Sequence, residues 1–336
     1  GTLNANPPNT TDPFAWPDPT DTEDAERVDD MRHAAWNARG EFLNARDPAT
    51  LISSLENALA SIENRIGTST AVTFNSNELQ AETQLYLTQF NSENWSGDVV
   101  AFNFNTDGTI NPTEAWRISD YLDSASYNYT NRVAYTMNSA TNAATLLEWG
   151  NISTAQQHDF KTAPDGSLGS DTDGQARLNF FLGDRTHEAS GTAYNFRRRD
   201  SIMGDIVHSG PVFVGKPSEL YPDSSPFGSS SERYSSFVEA KKNRKGIVYV
   251  GANDGMVHAF DTTQSGREIM TYTPKELYQS GSATAGLHYL SDPDYTHNYY
   301  VDVNLAANDV YINASSAPLG TPNWETILAG GYGAGG

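Results

Sequence analysis

The chain contains no cysteine, which excludes a disulfide, a thiolate metal site and a cysteine nucleophile. Long apolar runs are also missing, and the longest is far shorter than the ~20 residues that span a bilayer. Basic residues are scarce, since 21 Lys and Arg face 42 Asp and Glu and the net charge is −21. We therefore expect no nucleic-acid partner, no docking on anionic lipid and no membrane insertion. The first residues show neither the basic nor the apolar region of a signal peptide.

Residues 1–66 carry helical patterns around one short extended segment. The first predicted helix presents Ala25, Val28, Met31 and Ala35 on one face, and the second presents Ile52, Leu55, Leu59 and Ile62. Residues 41–44 between them fit a short strand. This arrangement predicts half of an α/β sandwich, which is too small to bury its own apolar faces.

From about residue 68, short alternating apolar runs separated by Gly, Asn, Asp and Ser replace the helical periodicity, as expected for many short strands. A helix is predicted at 173–183, and surface loops are predicted at 216–236 and 280–286. The predicted strands are 70–75, 84–90, 97–104, 113–118, 132–137, 206–215, 246–251, 256–261, 268–273, 309–313 and 325–330.

The clearest local pattern is a hairpin over residues 247–261. Two alternating strands flank Asn253-Asp254-Gly255, and Asp-Gly supplies the positive φ angles of a tight turn. The pattern is the blade signature of quinoprotein-like propellers, and weaker echoes occur at 210–215 and 95–102. Repeats at uneven intervals favour a propeller over a sandwich, so the sequence predicts a mainly β fold.

Several stretches together resemble the PilC/PilY family of type IV pilus tip proteins. They include residues 16–30, the Asp205-Ile206-Val207-His208-Ser209 stretch, residues 300–302 and residues 324–336, and they occur in the family's order. The resemblance implies that residues 1–66 are the C-terminal segment of a von Willebrand A-like domain. It also implies that residues 67–336 are the N-terminal half of a quinoprotein-like β-propeller, so both ends look truncated.

The same resemblance implies an exported bacterial protein at the pilus tip, on the outer membrane surface or in the periplasm. Such proteins act in pilus assembly and adhesion, with pilins or minor pilins and a surface or host receptor as partners. No enzyme activity is expected, and no catalytic or cofactor-binding residue is assigned. The metal motif of the A domain would lie before residue 1, and the calcium loop of the propeller would lie beyond residue 336.

One stretch within the chain has the spacing of a calcium loop. Asn103, Asn105, Asp107 and Glu114 occupy ligand positions of an EF-hand-like loop, with Gly108 at the turn position. The preceding residues look like a strand rather than a helix, so a simple hairpin turn at 106–108 is the favoured interpretation. The acidic stretch 165–174 is similarly interpreted as a solvated loop rather than a calcium site.

The remaining polar motifs favour structural roles. The seven histidines lack H-x-x-x-H or H-E-x-x-H spacing, and His208 and His258 are interpreted as satisfied core or edge residues. Arg197, Arg198 and Arg199 are expected to pair with local carboxylates. The glycines at 330–336 have no accompanying lysine or helix for phosphate binding, so we interpret them as turn and strand residues.

Three functions stay open at this point. The leading hypothesis is a non-enzymatic module that uses propeller loops as a binding surface. The alternatives are a quinone-dependent dehydrogenase-like enzyme, which shares the blade signature, and a structural scaffold without a ligand. Because a partial ring leaves open strand edges, we also expect the isolated chain to be marginally stable or prone to aggregation.

Overall fold

The computed structural model describes residues 72–74, 84–105, 109–188, 191, 194–227, 232–302, 304–313 and 322–335. The chain divides into two compact units, Gly1–Ile66 and Gly67–Gly336, and the described residues all lie in the second. The predicted α/β segment therefore falls outside the described residues. No helix in these ranges has the length and apolar character needed to cross a membrane.

The described part of the chain is mainly β. Its strands are β1 (Val72–Phe74), β2 (Gln84–Asn91), β3 (Ser96–Phe104), β4 (Ile110–Arg117), β5 (Ala134–Met137), β6 (Ala144–Leu146), β7 (Val212–Val214), β8 (Ile247–Ala252), β9 (Met256–Asp261), β10 (Arg267–Thr273), β11 (Ala306–Ile312) and β12 (Asn323–Ala329). Its α-helices are α1 (Ser119–Leu122), α2 (Thr154–Lys161), α3 (Asp171–Leu182) and α4 (Tyr234–Lys241). Short 3-10 helices lie at Tyr129–Asn131, Thr262–Gln264, Lys275–Leu277 and Leu287–Ser291.

The strands form three sheets. Strands β1 to β4 make an antiparallel meander, and β11 pairs with β12. The largest sheet has the order β6-β5-β10-β9-β8-β7, in which β7 to β10 are consecutive antiparallel strands, as in a propeller blade. Strand β5 joins β10 in parallel, with Ala134 opposite Thr271, and brings the β5–β6 hairpin to the same sheet. Among the described strands this sheet stays open, with β6 and β7 at its edges.

The predicted hairpin is present as β8 and β9, with Ala252 opposite Met256 at the turn. Gly255 has a φ of 90°, a conformation that glycine adopts without the steric cost of a Cβ. Alternation along β8 places Val248 and Val250 in a buried cluster with Val99 of β3. This face of the large sheet therefore packs on the β1–β4 meander, and each buried Val contributes about 1.5–3 kcal/mol.

A second buried cluster lies under α2 and α3, where Phe160 and Phe181 pack with Met256 and Leu287. It covers the turn end of the β8–β9 hairpin. The polar residues described below lie around this hairpin, between the two apolar clusters.

Of helices α2 and α3, one was predicted from local sequence patterns and the other was not. Helix α3 matches the predicted helix at 173–183, and Ser170 caps it in a capping box with Asp173. Gly183 ends it in the left-handed conformation. Helix α2 was not predicted, although Ser153 and Gln156 form a second capping box.

Several predicted boundaries differ from the structure, and β4 and β11 each begin three residues before the predicted strands at 113–118 and 309–313. The predicted strand 206–215 is extended only at Val212–Val214, because side chains from other elements bind the backbone of the preceding residues. The predicted loop 216–236 runs into α4, which starts at Tyr234. Residues 280–286 have neither helix nor strand, as predicted.

Candidate functional site

Four charged side chains lie buried beside the β8–β9 hairpin, and we call them the charge network: Arg132, Asp254, His258 and Glu268. Arg132 donates from Nε and Nη2 to the two carboxylate oxygens of Glu268, both at 2.8 Å. The ring of His258 lies between two carboxylates, with Nδ1 2.8 Å from Glu268 Oε1 and Nε2 3.1 Å from Asp254 Oδ1. Because both ring nitrogens face acceptors, the imidazole is held in its doubly protonated form.

The charges in this network stabilise one another. Burial alone would lower the pKa of His258, but the neighbouring carboxylates of Asp254 and Glu268 raise it to about 9. Burial alone would raise the pKa of Glu268, yet Arg132 and His258 hold it below its ordinary value. The pKa of Asp254 is lowered in the same way by His258 and Arg132. The His258 side chain is 0 % exposed, so the network is suited to holding strands together rather than to meeting a ligand.

The hairpin turn connects this network to the neighbouring segments. Asn253 donates from Nδ2 to Asp205 Oδ2 at 2.7 Å and accepts from the Tyr300 backbone N–H at 2.9 Å. Asp205 Oδ2 also lies 2.9 Å from His297 Nε2. Asp254 accepts from the Gly204 backbone N–H. The turn thereby fixes both the segment that begins at Gly204 and the segment that contains His297 and Tyr300.

These two segments are joined by a pair of reciprocal Asp–His contacts. Asp205 of the first segment meets His297 of the second, and His208 of the first meets Asp302 of the second, with Nδ1 and Oδ2 2.5 Å apart. Asp302 also accepts from the His208 backbone N–H at 2.8 Å. The two segments are therefore held in register by side chains from both sides.

A surface cleft of about 280 Å³ opens next to these contacts. One wall comes from Gln279, Thr284 and Gly286, the other from residues 297–299, and Tyr300 lies between them. The Tyr300 hydroxyl donates to the Gly286 carbonyl at 3.1 Å, and Asn298 Nδ2 donates to the Thr284 carbonyl at 2.8 Å. Both bonds tie one wall of the cleft to the other.

The first wall is positioned by a carboxylate from helix α2. Asp159 is fully buried and accepts from the backbone N–H groups of Gln279 and Leu287 at 2.9 and 3.1 Å. Its Oδ1 also lies 2.9 Å from His288 Nδ1. Gly286 has a φ of 97°, and a Cβ at this position would lie 2.4 Å from the same carboxylate. Any larger residue would therefore displace the wall from Asp159.

Aromatic rings border the second wall. Trp95 stacks on His297 with ring centroids 3.7 Å apart, and Tyr299 meets His297 edge-on at 4.9 Å. Tyr299 is 38 % exposed, whereas Trp95 is partly buried. Trp95 has a φ of 55°, which is rare for a bulky residue and is associated with functional positions.

The residues of the predicted calcium loop lie on and between β3 and β4. Asn103 accepts from Gln84 Nε2, Asn105 donates to Thr109 Oγ1, and Glu114 binds Arg117 at 2.7–2.9 Å. Asp107 lies outside the described residues. The contacts of Asn103 and Glu114 engage oxygens that a calcium ion would need. The simple turn favoured by the sequence and the alternative of a calcium loop both stay predictions.

Other predicted polar motifs take structural positions. Asp173 completes the capping box of α3 by accepting from the Ser170 backbone N–H, and Asp171 pairs with Lys161, so part of the acidic stretch 165–174 belongs to a helix start. Arg199 pairs with Glu188 as expected, and Arg197 instead lies over the ring of Tyr295 at 4.1 Å. Within the described ranges, no group of three or more His, Asp or Glu side chains is arranged to hold a metal ion.

The sequence did not reveal the partners of the buried histidines. The sequence places Asp254 in the turn and predicts His258 to be a satisfied core or edge residue, without naming a partner for either. Glu268 and Arg132 complete the network, and Arg132 is separated from both His258 and Glu268 by more than 120 residues. Local spacing indicates the Asp254–His258 contact, but no local pattern predicts the other two members.

Comparison with known proteins gives two kinds of match. Residues 203–336 match the family model of the PilY1 β-propeller domain. A type IV pilus biogenesis factor PilY1 of Pseudomonas aeruginosa strain PAO1 is 33 % identical over 334 residues, which cover 96 % of this chain and 27 % of the relative. A PilY1 homolog of Xylella fastidiosa is 31 % identical over 325 residues, covering 92 % and 23 %.

The chain thus spans about a quarter of the length of the curated relatives it matches. No solved structure matches it. The predicted family resemblance and the mainly β propeller fold are both confirmed by these matches.

Proposed function

We propose that this chain, a PilY1-type sequence that carries part of the family's β-propeller domain, is a non-enzymatic module of type IV pilus biogenesis. The observation that carries the proposal is the match over 96 % of the chain to a protein named as a type IV pilus biogenesis factor. In this role the module is part of an exported protein and acts at the pilus tip or on the cell surface. Its partners are pilins or minor pilins and a surface receptor.

The arrangement of the described residues supports a contact role. The charged side chains of the charge network are turned inward, and the loops at 279–286 and 297–299 are held by hydrogen bonds to the buried carboxylates of Asp159 and Asp205. Loops held in place by such hydrogen bonds suit recognition, because little conformational freedom is lost on binding. We therefore assign the contact surface to these loops.

The proposal is tested in the bacterium that carries the gene, by deleting the codons for residues 203–336 in frame. We expect loss of surface pili and of twitching motility, scored by electron microscopy and on agar. The matched control is Glu239→Ala, which alters an exposed ion pair with Lys242 and should leave both unchanged. Normal piliation after the deletion would overturn the biogenesis role.

Adhesion and the enzyme alternative need separate measurements. Adhesion is isolated from assembly by comparing strains that carry substitutions in the loops at 279–286 and 297–299 and form equal numbers of pili, in their attachment to epithelial cells. The dehydrogenase alternative predicts a bound quinone, so the visible absorbance spectrum of the purified chain distinguishes it from the binding module.

A further inference from the structure

We propose that the cleft between Gln279–Gly286 and His297–Tyr299 binds a neutral sugar ring at the end of a glycan. The inference deepens the contact function proposed above and rests on it for its biological setting. Its chemistry comes from the cleft alone. The two can fail separately, because sugar binding is measured on the purified chain and pilus assembly on cells.

The first argument is the charge of the lining. In a chain with a net charge of −21, none of the described residues that line the cleft is Asp, Glu, Lys or Arg. The one titratable imidazole of the lining, on His297, is bound to Asp205. A cationic ligand would select carboxylates and an anionic ligand would select basic side chains. The lining therefore favours an uncharged ligand.

The second argument is the kind of polar group that the lining presents. Gln279 and Thr284 are exposed and offer an amide and a hydroxyl, each able to donate and to accept. Sugar hydroxyls also donate and accept, so they match such groups better than a purely apolar ligand does. Both groups lie on the first wall, opposite Tyr299, so they can fix the orientation of a small ring that packs on the second wall.

The third argument is the aromatic border. Tyr299 presents a partly exposed ring beside the stacked rings of Trp95 and His297. The C–H face of a pyranose is apolar and flat and packs on such a ring, while its hydroxyls point to the polar walls. The volume of about 280 Å³ lies near the lower limit of small-molecule sites and suits a ligand of one or two rings.

The fourth argument is that the walls are held in place from behind. Asp159 fixes Gln279 and Leu287, and Asp205 fixes His297, so the buried carboxylates act as positioning residues. A cleft that is already formed loses less entropy on binding than one that must close around its ligand.

The experiment is saturation-transfer NMR and calorimetry on the purified chain. The probes are the methyl glycosides of galactose, mannose and N-acetylglucosamine, with N-acetylneuraminic acid as the anionic probe. We expect saturable binding of at least one neutral glycoside, with a Kd on the order of 1 mM. Tyr299→Ala should weaken it about tenfold or more, because the ring platform is lost.

The matched control is Tyr135→Ala on β5, since Tyr135 is 37 % exposed against 38 % for Tyr299 and is not among the cleft residues. It should bind as the unchanged chain does. Gln279→Ala provides a second cleft variant, and circular dichroism confirms that each variant is folded.

Three results would overturn the proposal. The first is no saturable binding of any neutral glycoside, and the second is binding that survives both cleft variants. The third is tighter binding of N-acetylneuraminic acid than of the neutral probes. The methyl group on the anomeric oxygen stands for the rest of the glycan, so binding of a methyl glycoside supports recognition of a terminal ring.

Discussion

The charge network and the cleft are both connected to one hairpin turn and use polar residues in opposite ways. Asp254 points from the turn toward His258, whose side chain is fully buried, and each charged side chain of the network has a partner of opposite charge. Asn253 points toward Asp205 and Tyr300, which support a cleft whose described lining has no formally charged carboxylate or basic side chain. The two adjacent turn residues thus separate a structural region from a surface that remains available for contact.

The difference shows how an acidic chain can place its charges. Buried ions need partners because removing either partner leaves an uncompensated charge in a medium of low dielectric. The cleft is supported by buried carboxylates too, but these accept hydrogen bonds from backbone N–H groups and histidines. We therefore expect damage to the charge network to unfold the sheet, and damage behind the cleft to loosen only the loops.

The largest effect is expected from Glu268→Ala. The change leaves Arg132 and His258 buried without their shared carboxylate, so the free energy of unfolding should fall by about 3–5 kcal/mol. Urea unfolding followed by circular dichroism measures it. If the variant does not fold at all, Glu268→Gln keeps the shape and should show a smaller loss.

The control for this comparison is Glu239→Ala, in the exposed ion pair of α4 with Lys242. We expect a change of less than about 0.5 kcal/mol, because water screens that pair. Equal losses in the Glu268 and Glu239 variants would mean that the charge network does not hold the sheet.

The second effect is a dependence of stability on pH. The pKa of His258 is about 9 in the folded chain and about 6.5 in the unfolded chain, so its stabilisation is complete below pH ~6.5. It is lost as pH rises through 9, by up to about 3 kcal/mol. Unfolding free energies measured from pH 6 to 9.5 should show this decline.

His258→Gln removes the titrating group and serves as the control. The variant should be less stable than the unchanged chain at pH 6, and its stability should change less over the same range. An equally steep decline in the variant would assign the pH dependence to other groups.

The third effect is confined to the cleft. Asp159→Asn replaces one acceptor oxygen by an amide N–H₂ group, which donates and does not accept. The single remaining oxygen cannot accept from both Gln279 and Leu287 while also binding His288. We expect a loss of about 1–3 kcal/mol and faster amide exchange in residues 279–288. Hydrogen–deuterium exchange measures the second quantity.

Asp165→Asn is the matched control, because Asp165 lies in an exposed turn and its carboxylate accepts from the backbone N–H and the hydroxyl of Ser167. Exchange in residues 279–288 should not change in this variant. Unchanged exchange after Asp159→Asn would show that the wall of the cleft does not depend on the carboxylate.

The parts of this architecture that could be predicted from the sequence are those with local causes. The β8–β9 hairpin follows from period-two alternation and an Asp-Gly turn, and α3 follows from its apolar spacing and Gly183. In each case the residues that determine the structure lie within the element or next to it. The loop at 280–286 was found for the same reason, because its Gly and Ser residues favour turns.

The parts that could not be predicted depend on distant residues. Strand β5 pairs in parallel with β10, and the Thr136 hydroxyl reaches the Thr273 carbonyl 137 residues further along the chain. The charge network needs the same pairing, because Arg132 reaches Glu268 only when β5 lies beside β10. The first wall of the cleft likewise depends on Asp159, more than 100 residues before Gln279.

The smallest effect should come from His208→Ala. This variant compares an exposed histidine with the buried His258 of the charge network. His208 also binds a buried carboxylate, that of Asp302, yet its side chain is 63 % exposed whereas that of His258 is 0 % exposed. Asp302 keeps the backbone N–H of residue 208 as a donor after the change, since every residue except proline supplies it. We therefore expect a loss of no more than about 1 kcal/mol in urea unfolding, against about 3 kcal/mol or more for His258→Ala. Equal losses would contradict the view that burial, rather than the Asp–His contact itself, sets the contribution of each histidine.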